Sequence, residues 1–321
     1  MQALYFDGQA GLRHLPRPEP GAGEALVQVR LAGICKTDLE VLRGYHGFRG
    51  VIGHEFVGQV VGPTHSPWMG KRVVGEINVA CGHCQWCRQG LARHCASRQV
   101  LGLSWWDGVF AHYVAMPEAN LHEAPPEVSD DAAVFAEPLA AALQVIEAAA
   151  ITPASRVLVV GDGRLGLLIA WVISRQGAAV SLVGRRPGKL ALAVPYGVEI
   201  FLEKDLPDDS FYDVVVEASG APGGLALALA RVRPQGTVVL KSTYAGAAPL
   251  DTARLVVPEV RLIGSRCGPF DAALRLLRQK LVDPRPLISH ILPLAQGVEA
   301  LALARQPGVL KVLLDCRAAA D

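Results

Sequence analysis

Four of the chain's seven cysteines fall in one short stretch, CGHCQWCRQGLARHC at 81–95, spaced C-x2-C-x2-C-x7-C. Cys81, Cys84 and Cys87 are too close in sequence for unstrained disulfides among themselves. Their spacing suits tetrahedral thiolate coordination of a structural zinc, with Cys95 returning as the fourth ligand. The competing reading is a redox or disulfide cluster, which an oxidising compartment would favour. A second set is sparser: Cys35 in GICKTDLE, His54 and Glu55 in GHEFVG, and Glu137 in FAEPLAAAL. A lone cysteine or histidine is ordinarily a packed core residue. A thiol, an imidazole and carboxylates offered together suggest a second metal site.

The third stretch is GDGRLG at 161–166, which supplies Gly161, Gly163, Arg164, Leu165 and Gly166. It directly follows the apolar run RVLVV, opens the helical pattern RLGLLIAWVISRQ, and is followed about 20 residues later by a second apolar run, VSLVG. That context is what a dinucleotide fingerprint requires. Gly161 permits the tight turn, Gly163 lets a pyrophosphate approach the backbone, and Gly166 lets the helix pack on the sheet. An NAD site usually carries an acidic residue at the end of the second strand, but here Gly184 is followed by Arg185 and Arg186. A carboxylate would repel a 2′-phosphate, whereas guanidinium groups bind one through charge-assisted, often bidentate bonds. The expectation is therefore NADP(H) as preferred cofactor with NAD(H) possible, and a reversal of preference in Gly184→Asp. Lys189 adds positive charge nearby; the competing reading of the arginines is a solvated surface pair.

These residues need a scaffold. The first third of the chain reads as short strands divided by Gly and Pro, namely EALVQVRLAGI, FVGQVVG, KRVVGE and GVFAHYVAMP, a pattern that fits a small barrel-like β domain. From about residue 137 the pattern becomes helices alternating with wholly apolar strands, RVLVVG, VSLVG, YDVVVEA and GTVVLK, which points to a parallel sheet covered on both faces. The last fifty or so residues change again: FDAALRLLRQK and LAQGVEALALARQ read as helices, ISHIL and VLKVLLD as strands.

A length of 321 residues suggests two domains, and 51% hydrophobic with 19% charged residues fits a compact enzyme rather than a disordered chain. A formal net charge of +1 gives no bulk field for a polyanion, so a nucleic-acid partner is not expected. MQALYFDGQAG lacks a basic segment before an apolar core, and no uninterrupted apolar run is long enough to span a bilayer. A cytoplasmic protein with reduced thiols and no membrane partner is the expectation.

GHE, the four-cysteine lobe, DGVFAHYV, AEPLA, GDGRLG, FYDVVVEASG and IGSRCG occur together in this order. In that order and approximate spacing, over nearly its whole length, the chain resembles the zinc-dependent medium-chain alcohol dehydrogenase/reductase family of alcohol, sorbitol, threonine and sugar dehydrogenases. The resemblance implies an α/β protein. A chaperonin-10-like β-barrel catalytic domain would span 1–136 and 272–321, and a doubly wound Rossmann parallel-sheet domain 137–271 would be inserted within it.

It also implies roles. Cys35 and His54 stand where the family has its first two catalytic zinc ligands, and Glu137 where the polyol and sugar branch uses a glutamate. Glu55 is a ligand in some members and lies behind the ligands in others. Asp38 stands where a carboxylate orients the ligand histidine, and Thr37 where a hydroxyl touches the substrate oxygen and relays its proton. Glu40 replaces a histidine that many alcohol dehydrogenases use as proton relay, which is similar to the sugar-dehydrogenase branch and points to a polyhydroxylated substrate; the competing reading is a structural carboxylate. His46 and Phe48 are either pocket or ordinary loop residues. Ala218 and Ser219 correspond to the adenosine region, Ser265 and Cys267 to the nicotinamide carboxamide region, and Lys311 to the pyrophosphate region.

The implied activity is that of a zinc-dependent, NAD(P)-dependent alcohol dehydrogenase acting on CH–OH groups. Hydride would pass between a small-molecule alcohol, polyol or sugar and NADP(H) or NAD(H) by way of a zinc-bound alkoxide. The alternatives are a zinc-free quinone or enoyl reductase and a non-catalytic relative of the same fold, against both of which the retained ligand set speaks. The apolar VRLIG segment implies a homodimer or homotetramer paired through a sheet edge.

Overall fold

A computed structural model of the chain describes residues 1–44, 47–243 and 250–317, so His46 lies outside the described residues. Two units are seen, Met1–Glu137 with Leu274–Asp321, and Pro138–Ala273.

The first unit is organised by the strand Glu24–Gly33, whose β-branched and aliphatic residues are buried along most of its length. The sheet runs in the order Leu121–Glu123, Arg72–Gly75, Glu55–Gly62, Glu24–Gly33, Lys311–Asp315, Ile288–Pro293, and Tyr113–Pro117 also pairs with Glu24–Gly33. Chain order explains the changed character of the last residues. After the second unit the chain returns, and Lys311–Asp315 pairs antiparallel with Glu24–Gly33, with Leu313 opposite Gly33 and Leu314 opposite Ala32. On the other side Gly33 lies opposite Glu55. Register thus brings the start of the Glu55–Gly62 strand, the end of Glu24–Gly33 and the C-terminal strand to one place.

One expected strand is shorter than its pattern. Of GVFAHYVAMP only Tyr113–Pro117 is a strand. The buried Val109 and Phe110 instead donate their N–H groups to Gly53 and Ile52 carbonyls, which ties this segment to the loop that carries His54. The cysteine lobe interrupts the sheet as a loop with a small ladder at its base, where Asn78 and Val79 pair antiparallel with Val100 and Gln99.

In the second unit six parallel strands run in the order Glu199–Leu202, Ala179–Gly184, Arg156–Val160, Tyr212–Glu217, Val232–Leu240, Arg261–Gly264. Leu158, Val183, Val215 and Val238 from four of them pack with Leu225, Ala228 and Leu229 of the helix Pro222–Arg231. Apolar residues on successive positions of these strands are buried on both faces, as a sheet covered on both sides requires. Strand order reverses between Arg156–Val160 and Tyr212–Glu217, and the loops leaving the carboxyl ends there form the crevice where open α/β sheets bind ligands. GDGRLG is one of those loops.

Candidate metal and nucleotide sites

In the lobe, Cys84 Sγ lies 3.5 Å from Cys87 Sγ and 3.9 Å from Cys95 Sγ, while Cys81 Sγ lies 3.5 Å from Cys95 Sγ and 4.0 Å from Cys87 Sγ. A tetrahedron with metal–sulfur bonds of about 2.3 Å has edges of about 3.8 Å, so the four sulfurs have the spacing that a bound zinc would need. They are far beyond a disulfide bond length, and no disulfide links any described cysteine. The backbone already favours thiolate. The N–H groups of Cys87 and Ala96 draw the Cys84 thiol down to about 6. Desolvation and the neighbouring Cys84 push Cys87 up to about 12, so the cluster holds back protons that a divalent cation would displace.

The second cluster is assembled by register. Cys35 caps the short helix Lys36–Val41, His54 ends a loop, and Glu55 begins its strand; one ligand atom from each of the three lies within 4.8 Å of the others. Behind them His54 Nδ1 lies 2.9 Å from Asp38 Oδ1, both atoms buried and without another hydrogen-bond partner among the described residues. The other Asp38 oxygen accepts the Cys35 backbone N–H at 2.7 Å, so one carboxylate fixes both the ring and the cysteine loop. Thr37 Oγ1 is 3.7 Å from Cys35 Sγ. Burial alone would push the His54 imidazole down; the charge and hydrogen bond of Asp38, with Cys35 behind, hold it well above its usual value.

That shift has a sign. A raised folded-state value means that protonated His54 stabilises the metal-free protein below the unfolded value, and that this stabilisation is lost as pH rises through the folded one. Zinc needs the neutral ring, so zinc uptake by the metal-free protein is expected to release protons, with affinity rising with pH. Asp38→Asn is expected to flatten this pH dependence and to weaken zinc binding by about 10–100-fold. Zinc-competition titrations across pH check both.

Lys311 is 1% exposed, and its Nζ pairs with the Glu55 carboxylate. Buried charges persist only when paired, and this cation neutralises a carboxylate in the metal cluster itself. A Cβ on residue 33 would meet Glu55 Oε2 at 2.6 Å, so Gly33 makes room for the pair. Glu137 stands in the first turn of the helix Ala136–Ala149 and is not in the three-residue group. Glu40 has its Oε1 on Arg43 at 2.8 Å. Phe48 is buried.

In the second unit Gly161 has φ +121°, a conformation that side chains rarely adopt, and a Cβ on Gly166 would meet the Gly161 carbonyl oxygen at 2.0 Å. A Cβ on Gly163 would meet nothing within 4 Å, so the loop is open from that side. Arg164 and Leu165 begin the helix Arg164–Ser174. A pocket beside the loop is lined by Asp162, Gly184, Arg185, Glu203 and Ser219 among others. Ser219 Oγ is held on Glu217 Oε1 at 2.5 Å. Ser265 receives Lys241 Nζ at 3.3 Å and is not among the residues lining that pocket; Cys267 is buried.

The structure reveals a carboxylate that the spacing alone did not single out. Asp162 Oδ2 accepts the backbone N–H groups of Arg185 at 3.0 Å and Arg186 at 2.8 Å. A Cβ on residue 184 would meet Asp162 Cβ at 2.4 Å, so an aspartate at 184 requires the Asp162 side chain to move. Arg185 Nε donates to Glu203 Oε2 at 3.0 Å, with both side chains exposed. Asp162 was visible as the second residue of the glycine motif; its contact more than twenty positions away was not.

Residues 21–126 match the alcohol dehydrogenase GroES-like domain family. The chain is 31% identical to the L-threonine 3-dehydrogenase of Pyrococcus horikoshii, over 85% of each chain. It is 28% identical to the sorbitol dehydrogenase of Halalkalibacterium halodurans, over 98% of each. Among solved structures it superposes on an alcohol dehydrogenase of Escherichia coli complexed with NADH, with TM-score 0.91 and 28% identity, covering 98% of this chain and 99% of that one. A zinc-binding dehydrogenase of Sinorhizobium meliloti bound to NADP gives TM-score 0.89 and 27% identity, covering 98% of each.

Proposed function

The chain belongs to the zinc-type medium-chain alcohol dehydrogenase family, and from that membership we propose that it transfers hydride between a small alcohol, polyol or sugar and NADP(H) or NAD(H). The observation that carries this reading is the Cys35, His54 and Glu55 cluster, with its Asp38 backing, in one chain with a glycine fingerprint loop. Residues 1–136 and 272–321 serve as the catalytic zinc-binding domain and 137–271 as the nucleotide domain.

Cys35 and His54 hold the catalytic zinc, with Glu55 or Glu137 as the carboxylate ligand, and Cys81, Cys84, Cys87 and Cys95 hold a structural one. Zinc, when bound, supplies a Lewis acid that stabilises negative charge on the substrate's oxygen. The residues do the rest. Thr37 accepts the hydroxyl proton and passes it toward solvent, while the carbinol hydrogen leaves with its electron pair to the nicotinamide ring. Asp38 keeps the His54 ring in one orientation. Lys311 keeps the Glu55 carboxylate from standing as an uncompensated buried charge. Glu40, one oxygen engaged with Arg43, offers its other to a second substrate hydroxyl, which favours a polyol or sugar. The sorbitol dehydrogenase relative supports that class.

For the cofactor, Arg185 and Arg186 receive the 2′-phosphate of NADP(H). Detaching Arg185 from Glu203 costs about 0–1 kcal/mol, the usual worth of an exposed pair. NAD(H) is accepted as well. A cytoplasmic location is part of the proposal, and no helix among the described residues is long and apolar enough to cross a membrane.

The experiment is a panel of alcohols, polyols and aldoses run against both nicotinamide cofactors with zinc present. Zinc-dependent reduction of the cofactor by at least one polyol supports the reading; turnover that survives full metal removal sinks it.

A homodimer or homotetramer is the proposed assembly. Arg261–Gly264 is an end strand of the parallel sheet, and the neighbouring Val256 and Val257 are 73% and 80% exposed. Sedimentation should give two or four chains; a concentration-independent monomer removes this proposal.

A further inference from the structure

We infer that Asp162 sets the balance between NAD(H) and NADP(H), acting against the 2′-phosphate that Arg185 and Arg186 act for. This rests on reading the pocket beside the glycine loop as the nucleotide site. Three observations point to it. The usual place for a ribose-binding carboxylate is the end of the second strand, but residue 184 is glycine, and any Cβ there would meet Asp162 Cβ at 2.4 Å. The carboxylate reaches that place from the glycine loop instead. Asp162 Oδ2 also takes both backbone N–H groups just past the strand, those of Arg185 and Arg186, which are donors a 2′-phosphate would otherwise use. Finally, Arg185 is turned to Glu203, a second carboxylate lining the same pocket.

The charges around Asp162 are in tension. Burial, followed by the nearby Arg186 cation, holds the Lys189 ammonium below its usual value; Asp162 opposes this and Arg164 adds to it. Asp162 and Glu203 thus share this region with the cations Arg164, Arg185, Arg186 and Lys189. NAD(H) brings ribose hydroxyls, which a carboxylate accepts. NADP(H) brings a phosphate, which meets like charge on Asp162 and occupied N–H donors, and gains only from the cations.

Two substitutions separate charge from hydrogen bonding. Asp162→Asn keeps an acceptor for the two N–H groups and removes the charge. Asp162→Ala removes both and frees the N–H groups. The measurement is the dissociation constants of NADH and NADPH for the full-length, zinc-loaded protein, by nicotinamide fluorescence, with thermal melts to show that each variant is folded. The expected result is a shift of the NADPH-to-NADH affinity ratio toward NADPH by about tenfold in Asp162→Asn, the scale of one charge interaction, and by more in Asp162→Ala. If the wild type binds both nucleotides and the folded Asp162→Asn protein leaves the ratio within about twofold, Asp162 is a loop cap and the inference fails while the nucleotide-site reading stands. If the wild type binds neither nucleotide, the site reading itself fails and the inference with it.

Discussion

Cys35→Ser is expected to abolish turnover while leaving nicotinamide binding intact. Its sulfur belongs to the metal cluster proposed for the first unit and the pocket proposed for the nucleotide is lined by residues of the second, so one substitution should separate the two functions. Serine is close in size, and the Cys35 backbone N–H still bonds Asp38, so the loop is expected to keep its shape. What is lost is the thiolate. A Lewis acid is worth several kcal/mol of charge stabilisation in the transition state, so catalytic efficiency should fall about a thousandfold or more. Stopped-flow turnover with a fluorescence titration of NADPH, both on the same preparation, checks the separation.

The second large effect is expected in the lobe. Cys95 is the most buried of its four thiols, and Cys95→Ala opens a four-thiolate group that holds no other candidate donor among the described residues. Structural zinc contributes on the order of 10 kcal/mol to the folding of small domains, comparable to the whole stability of many proteins. The variant should therefore bind one zinc fewer than the wild type, melt at lower temperature, and become sensitive to proteolysis within 81–95. A closed site exchanges slowly and an open one quickly, so a mild chelator should remove activity from the wild type well before it unfolds it. Coincident loss of activity and fold would argue that the two clusters have the same role.

How much of this is legible in the sequence depends on whether the contact is local. The four cysteines announce themselves because three of them fall within one or two turns of chain, and a tetrahedral site needs little else. GDGRLG is similarly readable, since each glycine answers to a backbone requirement within the same loop. The sheet order of the second unit follows from apolar strands alternating with helices. Contacts between distant segments are another matter. Nothing near Lys311 in the sequence shows that its ammonium is buried against Glu55, because that pair is made when the C-terminal strand closes beside Gly33. In the same way Gly184 reads as a missing carboxylate, when the Asp162 side chain occupies the space that a Cβ there would need. The glycine was informative; the side chain that makes it necessary was not adjacent.

The most direct test of the account is to follow the hydrogen. Substrates deuterated at the carbinol carbon, drawn from the alcohols and polyols that turn over, are incubated with the zinc-loaded protein and the oxidised cofactor, and the reduced nicotinamide is analysed by mass spectrometry. The account predicts that the deuterium appears in the nicotinamide ring, and that the transfer disappears in Cys35→Ser. Reduced cofactor without the label, or labelled cofactor formed as fast by Cys35→Ser as by the wild type, would contradict it.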